Sequence, residues 1–264
     1  MQINLAGKKA LVTGSTAGIG LAIAQGLAAT GAQVVINGRT EGAVTEAISK
    51  LRERVAGALV TGVAADLSTR EGCDVLLARH PQVDILVNNL GIYQTEDFFD
   101  IADAEWERFF SVNVMSGVRM ARSLAQSMVA KGWGRIVFIS SESGLNIPIE
   151  MIHYGFTKTA NLAISRGLAK RLAGTGVTVN AVLPGPTLST GVENAFASTA
   201  ASSGKSLDEV ATAFIKAKRP GSILQRAATV EEVANMVVYV CSQQASATTG
   251  AALRVDGGAV DSIG

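Results

Sequence analysis

In the stretch HYGFTK, residues 153–158, a phenol and an ammonium group stand four positions apart at Tyr154 and Lys158. Residues four apart face the same side of a helix, so both side chains would point into one space. On a solvated surface such a pair does little. In a pocket, the cation would favour the phenolate and pull the tyrosine below its ordinary pKa of about 10. A phenol tuned in that direction can give a proton to an oxygen, or take one back, near neutral pH.

A second group of residues points to phosphate. The run TGSTAGIG (13–20) places Gly14, Gly18 and Gly20 directly after an apolar run, with Ser15, Thr16 and Ile19 between them. Glycines there let the backbone turn sharply and approach a pyrophosphate, which the N-terminus of a following helix attracts. The spacing is G-x3-G-x-G. A plain strand-to-helix turn is the alternative. The next apolar run ends VVINGRT, with no acidic residue to meet ribose hydroxyls. Gly38 leaves room, Arg39 offers a fork of donors to a 2′-phosphate, and Asn37 could add a hydrogen bond. Arg39 as a solvated loop cation is the competing reading.

These residues need elements to hold them. Short β-branched runs at 9–13, 33–37, 58–66, 83–89, 134–141 and 177–185, with a seventh at 251–258, read as strands. Their nearly continuous apolar character suits strands buried on both faces of a parallel sheet. Helical patterns lie near 18–30, 42–55, 104–131, 153–173 and 230–243, and a short one around TREGCDVLLARHP (69–81). Asp103 is placed to cap the third long helix. The alternation implies an α/β fold with a doubly wound parallel sheet, Rossmann-like, with helices on both faces. The long connection 186–222 contains the small-residue tract AFASTAASSGKS (195–206), which reads as mobile and lid-like, or as a plain insertion.

Composition narrows the classes. The 264 residues are 48% hydrophobic and 17% charged, which suits one domain (1–264) with apolar surface left for an oligomer interface. A formal charge of +1 without long charged runs gives no case for nucleic acid or an anionic membrane. Cys73 and Cys241 form no CxxC and fit a reduced, cytoplasmic setting. The start lacks the apolar stretch of a signal peptide, and no segment has the length of a membrane span. His80 and His153 give no metal site.

TGSTAGIG, NNLG (88–91), ISSESG (139–144), YGFTK (154–158) and PGPT (184–187) occur in the order found in short-chain dehydrogenases/reductases. The chain closely resembles the oxidoreductase branch of that family over essentially its whole length. The resemblance implies strand order 3-2-1-4-5-6-7 and nicotinamide-linked interconversion of a ketone or aldehyde and an alcohol, while the preference for NADP(H) over NAD(H) rests on Arg39, Gly38 and the missing acidic residue. It implies Tyr154 as general acid/base and Lys158 as the residue that lowers its pKa and holds the nicotinamide ribose. Ser141 then bonds the substrate carbonyl, and Asn113 positions a water in a proton relay. Asp66, with Leu67, matches the adenine contact, while Asn88 and Gly91 match the segment beneath the adenosine ribose. Pro184 and Gly185 lead to Thr187, which matches the threonine holding the carboxamide. A homotetramer built through helices near 104–131 and 153–173 is the family's common assembly.

The sequence departs from the family pattern at Leu90, where alanine is usual, and at Phe156 and Thr157. His153 adjoins the tyrosine and reads as a helix-surface residue or part of a substrate pocket. Glu142 could meet a polar substrate group or cap backbone. Tyr93, Trp106 and Trp133 read as packing residues. A nucleotide sensor without turnover, or an epimerase or dehydratase on the same fold, are the alternatives. The Ser–Tyr–Lys–Asn set and the G-x3-G-x-G spacing favour the reductase.

Overall fold

In the computed structural model, which describes residues 2–263, the expected strands are β1 (Lys9–Val12), β2 (Gln33–Gly38), β3 (Val60–Ala64), β4 (Ile85–Asn88), β5 (Gly134–Ile139) and β6 (Val177–Pro184). A two-residue pair, β7 (Thr187–Leu188) and β8 (Ala228–Thr229), precedes the last strand, β9 (Ala252–Val255). The seven long strands form one parallel sheet in the order β3-β2-β1-β4-β5-β6-β9. Counting only those seven, this is the expected order. The physical reason is visible in β5 and β6, where every residue is buried, because helices cover both faces.

The helices are α1 (Gly18–Ala29), α2 (Glu41–Arg54), α3 (Arg70–Arg79), α4 (Asp103–Phe110), α5 (Ser116–Lys131), α6 (Ile152–Arg171), α7 (Thr190–Ser203), α8 (Leu207–Lys218) and α9 (Val230–Cys241). One face of the sheet packs on Ile23 and Leu27 of α1 and Val233 and Val237 of α9. The other packs on Leu76 of α3 and Met120, Leu124 and Met128 of α5. The chain leaves β1 in opposite directions, toward β2 on one side and β4 on the other. In open α/β sheets, the crevice beyond the carboxyl ends at such a switch point is where ligands bind. The glycine-rich turn lies at that crevice.

Three expectations change. The single helix over 104–131 is instead α4 and α5 joined by a π-helical turn at Ser111–Met115, which contains Asn113. A π-turn inserts a residue without breaking the helical pattern, so the apolar period hides it. Asp103 does not cap; Ala102 holds the N-cap position and Asp103 lies in the first turn, where its charge still complements the helix end. The 186–222 connection is built largely of α7 and α8, with the Phe196 and Phe214 rings 5.3 Å apart between them. Alanine supplies the helix propensity in the small-residue tract, and Ser206 and Glu209 form a capping box that starts α8.

Candidate active site

Four elements bring the candidate catalytic residues together. Ser141 follows β5 and caps the short turn Glu142–Gly144, its Oγ accepting the Ser143 N–H at 3.1 Å. Tyr154 and Lys158 lie on the first turns of α6, one turn apart. Helix α6 approaches the serine turn closely at Gly155, where a Cβ would lie 2.5 Å from Ile147 Cγ2 and 3.0 Å from the Ser143 carbonyl. The Ser140 hydroxyl donates to the Lys158 carbonyl at 2.8 Å, and Lys158 Nζ donates to the Ile139 carbonyl at 2.9 Å. Helix and strand end are thus tied together by two polar bonds at the residues just before Ser141. The Ser141 hydroxyl acts on the Tyr154 phenol in the direction that lowers its pKa.

Asn113 joins this group from the π-turn. Its Oδ1 accepts the Ile92 N–H at 2.7 Å, and its Nδ2 donates to the Ile92 carbonyl at 2.9 Å and to Thr157 Oγ1 at 3.0 Å. The Asn113 carbonyl accepts from Asn161 Nδ2 at 3.1 Å. A Cβ at Gly91 would lie 3.3 Å from Lys158 Nζ and 3.5 Å from Asn113 Oδ1, so this loop runs directly over both.

At the other end of the crevice the glycine-rich turn is held by side chains. Gly14 has φ of 59° and Gly18 φ of 53°, the left-handed region that glycine adopts freely. Asn89 Nδ2 donates to the carbonyls of Thr13 and Gly14, each at 2.9 Å. Ser15 Oγ donates to the Val12 carbonyl and accepts the Asn37 N–H. Asn37 Oδ1 accepts the Gly14 N–H at 3.2 Å, while its Nδ2 donates to the carbonyls of Val63 and Ala65. Asn37 is buried, so its amide frames the turn instead of offering a free donor to phosphate. Thr16 covers Gly38: a Cβ there would lie 2.4 Å from Thr16 Cγ2. Gly20 is as tight, its Cβ position 2.5 Å from the Gly14 carbonyl. Helix α1 then begins at Gly18 and Ile19 with no side-chain cap and no acidic residue in its first turn. An uncapped helix N-terminus beside a glycine turn can hold a pyrophosphate through its N–H groups.

Arg39 is exposed just beyond β2. Asp66 Oδ1 accepts from the Ser68 N–H and Oγ, and Leu67 is buried. Asn88 is buried against α5, so close that a Cβ at Gly117 would lie 3.4 Å from the Asn88 Cβ, and its amide has no hydrogen-bond partner among the described residues. It faces the core under α5; the neighbouring Asn89 serves the turn. At the far rim Pro184 ends β6, the Gly185 N–H bonds the Val255 carbonyl, and Thr187 Oγ1 donates to the Gly185 carbonyl at 2.9 Å. Among the described residues no cluster of His, Cys, Asp and Glu could hold a metal ion.

The short chain dehydrogenase family model matches residues 8–201. The chain belongs to that family. Over 263 residues, covering 100% of both chains, it is 50% identical to the uncharacterized oxidoreductase YvaG of Bacillus subtilis (strain 168). It is 35% identical to the 3-oxoacyl-[acyl-carrier-protein] reductase FabG of Aquifex aeolicus (strain VF5), covering 98% of this chain and 99% of that one. Its fold matches L-sorbose reductase from Gluconobacter frateurii, complexed with NADPH and L-sorbose, with a TM-score of 0.92, 32% identity and full coverage of both chains.

The electrostatics of this short-chain dehydrogenase differ from the expectation for Tyr154. Burial pushes its phenol up to about 12; the Ser141 hydroxyl opposes that, and the charges of Glu142 and Tyr93 add to it. Burial pushes Lys158 down to about 8. With Nζ bonded to the Ile139 carbonyl, desolvation outweighs the attraction expected from the cation. Tyr154 is therefore held protonated, as a donor. Tyr93 flanks it, ring edge to ring face at 6.5 Å, instead of packing in the core. His153 is fully buried, 4.1 Å from the Phe109 ring centre and 6.1 Å from that of Trp106, so it belongs neither to the helix surface nor to a pocket. Glu142 neither caps backbone nor stands free: Arg219 Nε lies 3.0 Å from its Oε1. Asn89, Asn161 and Arg219 are the residues that sequence reasoning passed over. Only Asn89, doubled with Asn88 in NNLG, carried a local signal.

Proposed function

We propose that this short-chain dehydrogenase transfers a hydride between NADP(H) and a ketone, aldehyde or secondary alcohol, with Tyr154 as general acid/base. The observation that carries the reading is the convergence of Ser141, Tyr154, Lys158 and Asn113 beside a glycine turn that leads into an uncapped helix. A bound nicotinamide would supply or accept the hydride. Ser141 and Tyr154 would orient the substrate oxygen and stabilise it as charge develops. Tyr154 would donate its proton to that oxygen in reduction and recover it in oxidation. Lys158 and Asn113, both against Gly91, would hold the nicotinamide ribose and pass protons onward. A sensor would need only the phosphate end, and so would not need this set.

Several residues would hold the rest of the dinucleotide. Gly14, Thr16, Gly18, Ile19 and Gly20 offer the pyrophosphate a close backbone, with Ser15 and Asn37 as its frame. Asp66 and Leu67 would meet the adenine, Gly91 its ribose, and Pro184, Gly185 and Thr187 the carboxamide. The preference for NADP(H) rests on Arg39 after β2 and on the lack of an acidic residue there. The NADPH carried by the similar sorbose reductase supports it.

Helices α7 and α8 would cover the substrate as a lid. The face of α4, α5 and α6, where Phe110 of α4 and Phe156 of α6 stack while 39% and 44% exposed, would meet other copies of the chain in a tetramer. Buried free Cys73 and Cys241 suit a reducing cytoplasm, and no helix among the described residues is long and apolar enough to cross a membrane.

The test is oxidation of NADPH and of NADH by the purified protein against ethyl acetoacetate, L-sorbose, benzaldehyde and an acetoacetyl thioester. Carbonyl-dependent oxidation of NADPH supports the reading. Tight NADPH binding with no turnover on any of them would favour the sensor.

A further inference from the structure

Glu142 and Arg219 connect the catalytic serine to the end of α8, 77 residues away in sequence. Both carboxylate oxygens of Glu142 are engaged: Oε1 by Arg219 Nε at 3.0 Å, and Oε2 by the Ser143 hydroxyl at 2.9 Å. The Ser143 N–H in turn bonds Ser141 Oγ at 3.1 Å. Arg219 is fixed from its own side as well. Its N–H bonds the Ile215 carbonyl at 2.7 Å, and its guanidinium donates to the Lys218 carbonyl at 2.9 Å. A continuous polar chain therefore runs from the last turn of α8 to the hydroxyl of Ser141.

Burial separates this ion pair from the others. The side chains of Arg219 and Glu142 are 15% and 5% exposed, whereas every other ion pair among the described residues has at least one side chain 42% exposed or more. Exposed pairs contribute little, because water screens them. Removing one partner of a desolvated pair is costly, because it strands the other charge. Without Arg219, the Glu142 carboxylate would have to turn toward water, drawing Ser143 and the serine turn with it.

We propose that Arg219 is a positioning residue of the active site: through Glu142 and Ser143 it sets the hydroxyl of Ser141 and ties that placement to the seating of α8. The proposal rests on the hydride-transfer reading for its purpose, and on the polar chain alone for its mechanics. Seating the lid helix then completes the carbonyl-binding serine, so an unseated lid leaves the site unready. Coupling of this kind lets closure over a substrate assemble the catalytic geometry.

The test compares wild type with Arg219→Met, Arg219→Lys and the double variant Glu142→Gln/Arg219→Met. Hydrogen exchange read by mass spectrometry would follow peptides covering 140–146 and 207–218 in the purified full chain. Arg219→Met should speed exchange in both peptides, by about 10-fold or more for loss of one charge-assisted hydrogen bond. Arg219→Lys should restore most of the protection. The double variant should lie nearer wild type than Arg219→Met over 140–146, because no stranded carboxylate remains. With the best-reduced carbonyl of the panel above, Arg219→Met should lose about 10- to 100-fold in kcat by the same arithmetic, with NADPH affinity within about twofold. Faster exchange over 207–218 with 140–146 as protected as in wild type would overturn the proposal. So would an unchanged kcat in a variant whose lid exchange has risen. Absence of turnover in wild type would count against the hydride-transfer reading, and exchange over 140–146 would still decide the role of Arg219.

Discussion

Lys158 Nζ lies 5.4 Å from the centre of the Tyr154 ring, and its hydrogen bond goes to the Ile139 carbonyl at 2.9 Å. The two residues stand together, yet burial moves them in opposite directions, lysine down to about 8 and tyrosine up to about 12. Each is driven toward its neutral form. This relation gives the protein a pH signature of its own.

Lys158 should make the protein more stable as pH rises above 8. Its folded pKa of about 8 lies below the ordinary 10.5, so between those values the unfolded chain binds more protons than the native state. Stability then increases with pH across that window. The full shift corresponds to about 3 kcal/mol at ~1.4 kcal/mol per pH unit. Tyr154, raised from 10 to about 12, acts in the opposite sense, but only above 10. Melting temperatures of wild type and Lys158→Met, compared between pH 8 and 10 without nucleotide and at one protein concentration, would measure it. Wild type should gain on the variant as pH rises. Parallel curves would mean that Lys158 keeps an ordinary pKa.

Asn113→Ala should damage structure as well as chemistry. Its amide makes three hydrogen bonds, to both backbone groups of Ile92 and to Thr157 Oγ1. Stranding those partners should cost about 2–4 kcal/mol. Thr157→Val, which removes only one of the three, should cost about 1 kcal/mol. Urea unfolding of the two variants would separate these values; a smaller loss in Asn113→Ala than in Thr157→Val would contradict the clamp.

Cofactor preference should turn on Arg39. A charge-assisted hydrogen bond to a 2′-phosphate is worth roughly 1.5–3 kcal/mol, so Arg39→Ala should weaken NADPH binding by roughly 10- to 150-fold. NADH, which lacks that phosphate, should be bound as before. Gly38→Asp would offer ribose hydroxyls an acceptor, but its Cβ would collide with the Thr16 methyl. It should therefore bind both cofactors poorly alone, and shift preference toward NADH only with Thr16→Ser. Fluorescence titration at fixed ionic strength would show this, because phosphate contacts are partly screened. Equal loss of both cofactors in Arg39→Ala would remove the phosphate role.

Much of this was readable in the chain, for reasons that also mark where reading stopped. The parallel sheet followed from continuous apolar runs such as those of β5 and β6, which strands covered on both faces would bury, whereas the strand order came from the family resemblance. The Tyr154–Lys158 pairing followed from helical spacing. The π-turn at Asn113 did not, because the apolar pattern of 104–131 runs through it undisturbed. The opposed pKa shifts required knowing that both groups are desolvated. Asn161, 48 residues from the carbonyl it bonds, and Arg219, beyond a tract that reads as coil, act through contacts made only on folding.

Hydride transfer with Tyr154 as the proton donor is tested most directly by Tyr154→Phe, which removes one hydroxyl and keeps the ring. Carbonyl-dependent NADPH oxidation by wild type and variant would be compared near neutral pH, with NADPH affinity measured on the same samples. The expected result is a fall in kcat of about 10²- to 10⁴-fold, with NADPH affinity within a few-fold of wild type. A variant that keeps more than about half of the wild-type kcat, where proton transfer should supply at least about 10²-fold, would contradict the assignment.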